Sequence, residues 1–531
     1  MSDTSKKVGH QGPMTTSGVT YEHAGQEYFE KRGLKRHAGA WSLWGLGVAA
    51  VISGDFSGWN LGIGEAGWGG MLVATVIIGV MYLLMVYSIA EMSATLPHTG
   101  GAYSFGRSAM GPWGGYVTGL AETIEYVITT AVVGTFAGLY ADAITDDLFG
   151  FTMPLWLWVV IFYVIFVGLN SAGAAASFRF AMVIAILSLA VLGFFFIMAL
   201  FSGEFAWSNL TDIVPEGNNS TFMPFGIGGV LAALPFAIWF FLGIEELPLA
   251  AEETHTPQED IPRGSLWGMF TLLVTAFLVL VLNPGVLGAE AISGSGEPIL
   301  DGFRAIFPNS DVAALLSLFA LVGLVASFQG IMFAAGRNMY SLSRAGYYPK
   351  FLSLTGQTKV PYVALIVSAV IGVALIVGLG AIRNEPGETV ADAQVVVAGQ
   401  LLNIAVFGAV IAYFLQMVSY IILRQKYADV PRPYKSPVSL WGAAVAGVIA
   451  GATLIILPFN EAYRSVVVGV AIFFVIGLLY FALWGRHRLV LSPEEEFAVT
   501  HGKHGHPETE GYDVTEREEE SGKAEYFPPD N

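Results

Sequence analysis

Asp55, in the stretch ISGDFSGWN, and Glu122 and Glu125, in GLAETIEYVITT, are carboxylates set inside apolar sequence. Buried acids of this kind hold a cation, hold a proton, or tie neighbouring segments together. Glu122, Glu125, Tyr126 and Thr129 recur at i, i+3, i+4 and i+7, so a helix presents all four on one face. One of the two glutamates then binds an amine or hydroxyl while the other keeps a proton, because close carboxylates resist joint ionisation. A buried network linking helices is the alternative. For Asp55 the alternatives are a counter-charge for an ammonium and a side-chain cap on a half-helix; Ser57 would cap without a charge, which favours the counter-charge. Ser327 and Gln329, in LVASFQG, are polar residues in apolar surroundings, suited either to a substrate hydroxyl or to interhelical bonding.

The elements that must position these groups are membrane helices. The chain of 531 residues is 54% hydrophobic and 13% charged, and its mean hydropathy of +0.61 is too high for a soluble protein of that length. Apolar runs near the roughly 20 residues a spanning helix needs occur near 38–60, 69–96, 113–141, 153–170, 178–202, 224–250, 265–288, 312–342, 361–381, 396–423, 437–457 and 464–485. Twelve spans without a cleavable signal put both termini on one side. Of the 25 Lys and Arg residues, only Arg304, Arg383 and Arg464 fall on the other side, so the terminal side is read as cytoplasmic and the membrane as a cell inner membrane. The chain divides into an N-terminal tail (1–37), a transport core of ten spans (38–423), two further spans (437–485) and an acidic tail (486–531). SPEEEF and TEREEESGKAEYF supply much of the net charge of −17 and read as a solvated, disordered tail. HGKHGH, at His501 to His506, has the composition of an adventitious metal binder and is assigned no role. There is no cysteine, hence no disulfide or thiolate chemistry.

Two spans are interrupted in matching places. The first carries SGDFSG at its centre, where a carboxylate costs roughly 3 kcal/mol; the sixth carries FFLGIEELP, with Gly243, Glu245, Glu246 and Pro248. Paired interruptions at corresponding positions of two halves mark the midplane substrate site of secondary transporters. Unmet backbone groups at that depth survive only where they line a cavity or are buried in protein.

FFLGIEELPLAAEETHTPQEDIPRG, GRNMYSLSRAGYYPKF and AEMSATLPHTGGAYSF resemble three motifs of the amino acid, polyamine and organocation permease superfamily, and the resemblance runs from about 38 to 490. SGDFSGWN and GLAETIEYVITT are most similar to the ethanolamine permease branch. The resemblance implies an all-α protein of twelve transmembrane helices with the leucine-transporter architecture, a five-plus-five inverted repeat with helices 1 and 6 broken at the midplane and helices 11 and 12 appended. It implies a substrate site built from Ser53, Gly54, Asp55 and Phe56 of helix 1, Glu122, Glu125 and Tyr126 of helix 3, Trp239, Phe240 and Gly243 of helix 6, and Ser327 and Gln329 of helix 8, with Glu122 nearer the substrate than Glu125. Trp239 falls where related antiporters set an indole against a cation, an interaction worth up to about 2 kcal/mol; a core tryptophan is the alternative. Glu245 matches a glutamate tied to proton-linked gating. Relatives seat a carboxylate on backbone N–H groups where helix 1 restarts, and Asp55 intrudes there. That departure points away from zwitterions and towards a small cationic amine, ethanolamine first, imported by alternating access; an amino acid or polyamine permease is the alternative. Protons are the favoured coupling ion over sodium, and no cofactor, metal or nucleic acid partner is expected. Without an H-E-x-x-H pair, a G-x-S-x-G elbow or a Walker loop, nothing supports a membrane enzyme, and paired broken helices are not the pore-lining rings of a channel.

Overall fold

The computed structural model describes residues 14–502 apart from 23, 25, 308, 383–389 and 460–462. Among these residues, ten helices are long and apolar enough to cross a membrane, and two shorter apolar stretches, Ala40–Phe56 and Leu155–Ser171, complete the expected twelve.

The first span is α2 (Ala40–Val51) followed by the single turn α3 (Ser53–Phe56). It then opens at residues 57–60, where Ser57 is extended and Gly58 has φ +91°, and restarts in α4 (Leu61–Thr95), which bends at Gly67 into the second span. The interruption therefore lies one turn beyond Asp55, at SGWN rather than at SGDF. The third span is the long helix α5 (Gly101–Phe149), bent at Gly111–Pro112, where proline removes a backbone donor. Next come α6 (Leu155–Ser171) and α7 (Ala174–Phe201). In the sixth span α8 (Gly226–Trp239) stops, Gly243 takes φ 112°, and residues Ile244–Glu253 continue as a tighter 3₁₀ helix. The remaining spans are α9 (Pro257–Leu287), α12 (Ser310–Arg344), α13 (Tyr362–Ile382), α14 (Val390–Lys426), α15 (Ser439–Ile456) and α16 (Arg464–Leu483). Between α9 and α12 two short helices, α10 (Ala289–Ile292) and α11 (Pro298–Ile306), form a lid.

Both interrupted spans are central. α2 packs on α7, α9 and α12, while α5 lies along α12 and α14. Lipid-facing positions stay apolar, as with Val468, Ile472 and Ile476 of α16.

The two ends of the described chain meet on one face. Strands β1 (Met14–Thr16) and β2 (Val19–Glu22) form a hairpin, and β3 (Leu489–Val490) adds to β2 in parallel, pairing Tyr21 with Leu489. Residues 26–30 form α1, and α17 (Pro493–Thr500) follows β3. The expectation of a disordered tail from residue 486 is thus corrected for residues 486–502. Their acids find cationic partners: Glu494 and Glu495 are fully buried and ion-paired to Arg344 and Arg107. TEREEESGKAEYF and most of HGKHGH lie outside the described residues.

Gly58 is where the backbone geometry is least replaceable. A Cβ there would lie 2.7 Å from Trp239 Nε1, on top of a left-handed φ. Gly58→Ala should destabilise the protein by about 2–4 kcal/mol, from roughly 1–2 for the backbone and the rest for the overlap. Gly168→Ala, where a Cβ meets nothing within 4 Å, should stay within about 0.5 kcal/mol. Denaturant unfolding in detergent measures both; equal effects would show that the contact with Trp239 is not limiting.

Candidate functional site

The broken backbone of the first span is satisfied by side chains from four directions. Ser327, on α12, donates to Ala49 O (2.9 Å) and accepts Ser53 N–H (2.8 Å). From α5, Tyr140 donates to Phe56 O (2.7 Å). Trp239 Nε1–H, from the sixth span, donates to Ser57 O (2.9 Å). Within the break, Asn60 Oδ1 accepts Gly58 N–H (3.1 Å). Gly54 lets the two broken spans touch: a Cβ there would lie 2.6 Å from Trp239 O. Trp59 stacks on Phe240 at 5.6 Å between ring centroids, and Phe56 is fully buried.

Asp55 projects from this frame and is 1% exposed. No protein group among the described residues donates to either of its oxygens. Thr275, on α9, faces it, but that hydroxyl donates to Leu272 O (3.2 Å).

A second set of carboxylates runs from the sixth-span break towards the terminal face. Glu245 folds back so that its carboxylate accepts Gly243 N–H (3.0 Å and 3.2 Å). Glu125 lies within hydrogen-bonding reach of Glu245. Its Oε1 accepts Tyr413 O–H (2.9 Å), and Tyr413 in turn accepts from Tyr82 (2.9 Å). Glu122 accepts only Tyr126 O–H (3.3 Å) and sits beside the backbone of Ala102 and Tyr103. It is therefore Glu125, not Glu122, that meets the broken helix directly. One oxygen each of Glu122 and Glu125, and both of Glu246, have no donor among the described residues. Glu246 faces Arg337, which is committed to Glu253 (2.8 Å and 3.0 Å).

The helix-three glutamates meet the sixth-span break and the two breaks touch at Gly54, while two expected site residues serve as ties between helices. Ser327 clasps α2 to α12. Gln329 bonds Asn170 (3.1 Å) and Ser177 (2.6 Å), joining α6, α7 and α12. Of the two uses open to them, both make interhelical bonds.

Sequence reasoning missed the contacts between the first break and the lid. Ser57 Oγ donates to Gly296 O (2.9 Å), and Asn60 Nδ2 donates to the carbonyls of Ile292 and Ser295 (2.8 Å each). Tyr140 accepts Ile299 N–H (3.1 Å), so one phenol links lid and break. A polar Asn beside the Gly58 break and a Tyr on the Tyr126 face of helix three were the available signals.

Broken first and sixth spans around a buried acidic centre define a secondary membrane transporter. A family model described as amino acid permease matches residues 43–491, and the chain belongs to that family. It is 25% identical to the branched-chain amino acid permease of Bacillus subtilis, covering 87% of this chain and 96% of that protein. It is 25% identical to the histidine permease of Lactococcus lactis, covering 89% and 98%. The γ-aminobutyric acid permease of Escherichia coli is 26% identical over 61% of this chain and 69% of its own. Among solved structures, MhsT in complex with L-phenylalanine superposes with a TM-score of 0.57 at 16% identity, covering 80% of this chain and 98% of that one. A manganese transporter of Eremococcus coleocola gives 0.54 at 16%, covering 88% and 97%. The fold is that of the leucine transporter.

Glu297, in the lid, gives that element a pH dependence. Burial and the neighbouring Asp301 push its carboxyl up to about 7, with Asp147 and Asp142 adding repulsion and Arg304 opposing it. A carboxyl raised in the closed state favours closure while protonated and opposes it once ionised, so the lid should loosen as pH rises through about 7. Hydrogen exchange across residues 289–306, corrected for intrinsic rates, should show more opening at high pH than at low, and Glu297→Gln should flatten the difference. A wild-type profile unchanged by that substitution would exclude Glu297.

Proposed function

We propose that this permease imports a small organic amine by alternating access, seating the ammonium against Asp55, with ethanolamine the first candidate. The observation that carries the reading is Asp55 itself: a fully buried carboxylate, close before the first break, to which no protein group among the described residues donates. A fixed negative charge there attracts an ammonium and repels a carboxylate. The backbone supports the same choice. Gly58 N–H is taken by Asn60, and the N–H groups of Leu61, Gly62 and Ile63 bond carbonyls three residues back, so these amides are already engaged where relatives would receive a substrate carboxylate. The sequence resemblance of SGDFSGWN to the ethanolamine permeases supplies the particular amine. Amino acids are the second reading, favoured by the relatives named for branched-chain amino acids, histidine and γ-aminobutyric acid.

In this reading the terminal face is cytoplasmic and the membrane is the inner membrane, following the Lys/Arg asymmetry. Proton linkage is assigned to Glu125 and Glu245, whose contact disfavours two charges at once; Tyr413 and Tyr82 extend the hydrogen-bond chain. Trp239 braces the first break through its N–H, and its ring is offered to the ammonium.

Asp55→Asn keeps the shape and removes the charge. Ethanolamine affinity, measured by calorimetry, should fall roughly 100-fold or more, about 3 kcal/mol, as for one partner lost from a buried charge pair. Unchanged affinity in folded Asp55→Asn would leave only a structural role. For coupling, vesicle uptake at clamped potential should follow external pH, and Glu245→Gln should abolish that dependence; stimulation by sodium at fixed pH would contradict the proton assignment.

A further inference from the structure

The acidic stretch SPEEEF has no part in transport as described above, yet it contains two of the most completely buried acids in the molecule. Glu495 accepts four bonds: from Arg107 Nε (2.6 Å), Tyr21 O–H (2.6 Å), Tyr103 O–H (2.6 Å) and Tyr347 O–H (3.0 Å). Glu494 accepts Arg344 Nη2–H (2.6 Å), and the same guanidinium donates to both oxygens of Glu252 (2.6 Å and 2.7 Å). Behind these acids, Phe497 packs edge-on to His98 and stacks on Tyr427, whose hydroxyl donates to Ala498 O (3.4 Å). Ahead of them, Val490 N–H bonds Ala345 O (2.9 Å), and the chain passes so close over Gly346 that a Cβ there would lie 2.5 Å from Arg488 O.

The helix partners of both acids lie on one side of a seam, and one of them reaches across it. Arg107 and Tyr103 belong to the start of α5 and Arg344 to the end of α12, Tyr427 directly follows α14, and Arg344 also holds Glu252, which closes the second half of the broken sixth span. In this fold a path to one face opens when the group of spans carrying the broken helices rocks away from the rest. A segment that fixes Arg344 while Arg344 holds Glu252 across that seam resists the opening.

We infer that residues 489–502 are a strap that holds the terminal-face gate shut, with Glu494 and Glu495 as its two fasteners. The strap works through fully desolvated charge-assisted bonds, which are strong when every partner is present and are lost abruptly when one is removed. Its partner strand β2 makes the N-terminal hairpin part of the same clasp, so either terminus can release the gate. Nothing in this depends on which solute is carried.

The absence of cysteine allows a direct test on the full chain. Ala334→Cys places one thiol on α12 at a fully buried position, one turn from Ile331, the side chain nearest to Gly243. Its rate of labelling by a maleimide in detergent, without substrate, reports opening. Glu494→Gln with Glu495→Gln should raise that rate several-fold. Glu259→Gln, which removes only an exposed pair with Arg263 at the start of α9, should change nothing. A double variant that unfolds at the parent's temperature and labels at the parent's rate would overturn the strap. If that variant does not assemble, Tyr21→Phe takes its place: losing one bond to Glu495 should give a smaller rise, and no rise would overturn the inference equally. A failure here with intact Asp55-dependent binding would leave the transport reading untouched.

Discussion

A peptide backbone interrupted at membrane depth must have every freed N–H and C=O met by protein or by a lined cavity, and the architecture around residues 57–60 answers that requirement. The carbonyls of Ala49, Phe56 and Ser57 are met by Ser327, Tyr140 and Trp239, from three different helices. Each donor is a fully or nearly fully buried side chain, so the break is also what fixes α5, α8 and α12 relative to the first span. Glycine at 54 and 58 allows the two broken spans to approach to backbone contact. The same residues that satisfy the break carry the lid: Tyr140 and Asn60 bond both, and Ser57 bonds the lid directly.

Within this frame the carboxylates divide by how they are held. Glu253, Glu252, Glu494 and Glu495 have guanidinium partners at 2.6–2.8 Å and fasten helices together. Glu91 does the same for Arg424 and Arg432 near the end of α14. Among the described residues Asp55, Glu122, Glu125, Glu245 and Glu246 have no such ion pair; Glu122 and Glu125 have phenols, and Glu245 has a backbone N–H. Burying a charge without a partner is expensive; under the function proposed above, an ammonium offsets that cost at Asp55 and a proton does so at Glu125 and Glu245.

Much of this was legible in the sequence because membrane helices advertise themselves through length and hydropathy, and their breaks through Gly, Pro and charge. Helices stand where the twelve apolar runs put them, ten of them long and apolar enough to cross a membrane, and FFLGIEELP breaks where it reads as broken. What was not legible was tertiary. Periodicity put Glu122 and Glu125 on one face, but which of them meets Glu245 depends on the bend at Gly111 and the packing of α5 on α14. The first break fell at SGWN because Ser57 and Asn60 have lid carbonyls to bond, partners more than two hundred residues away. SPEEEF read as a solvated tail because composition cannot reveal Arg107 and Arg344 waiting to pair with it. For Ser327 and Gln329 the sequence left a substrate hydroxyl and interhelical bonding both open, and it carried no sign of which helices they join.

The central claim is that an unpaired buried carboxylate selects a cation, and the unmodified protein tests it most directly. Calorimetric titration with ethanolamine, with ethylene glycol as its neutral counterpart of matching shape, and with serine as its zwitterionic one, isolates the charge. The account predicts saturable binding of ethanolamine, none of the glycol, and serine weaker than ethanolamine. Equal binding of the glycol, or tighter binding of serine, would contradict it.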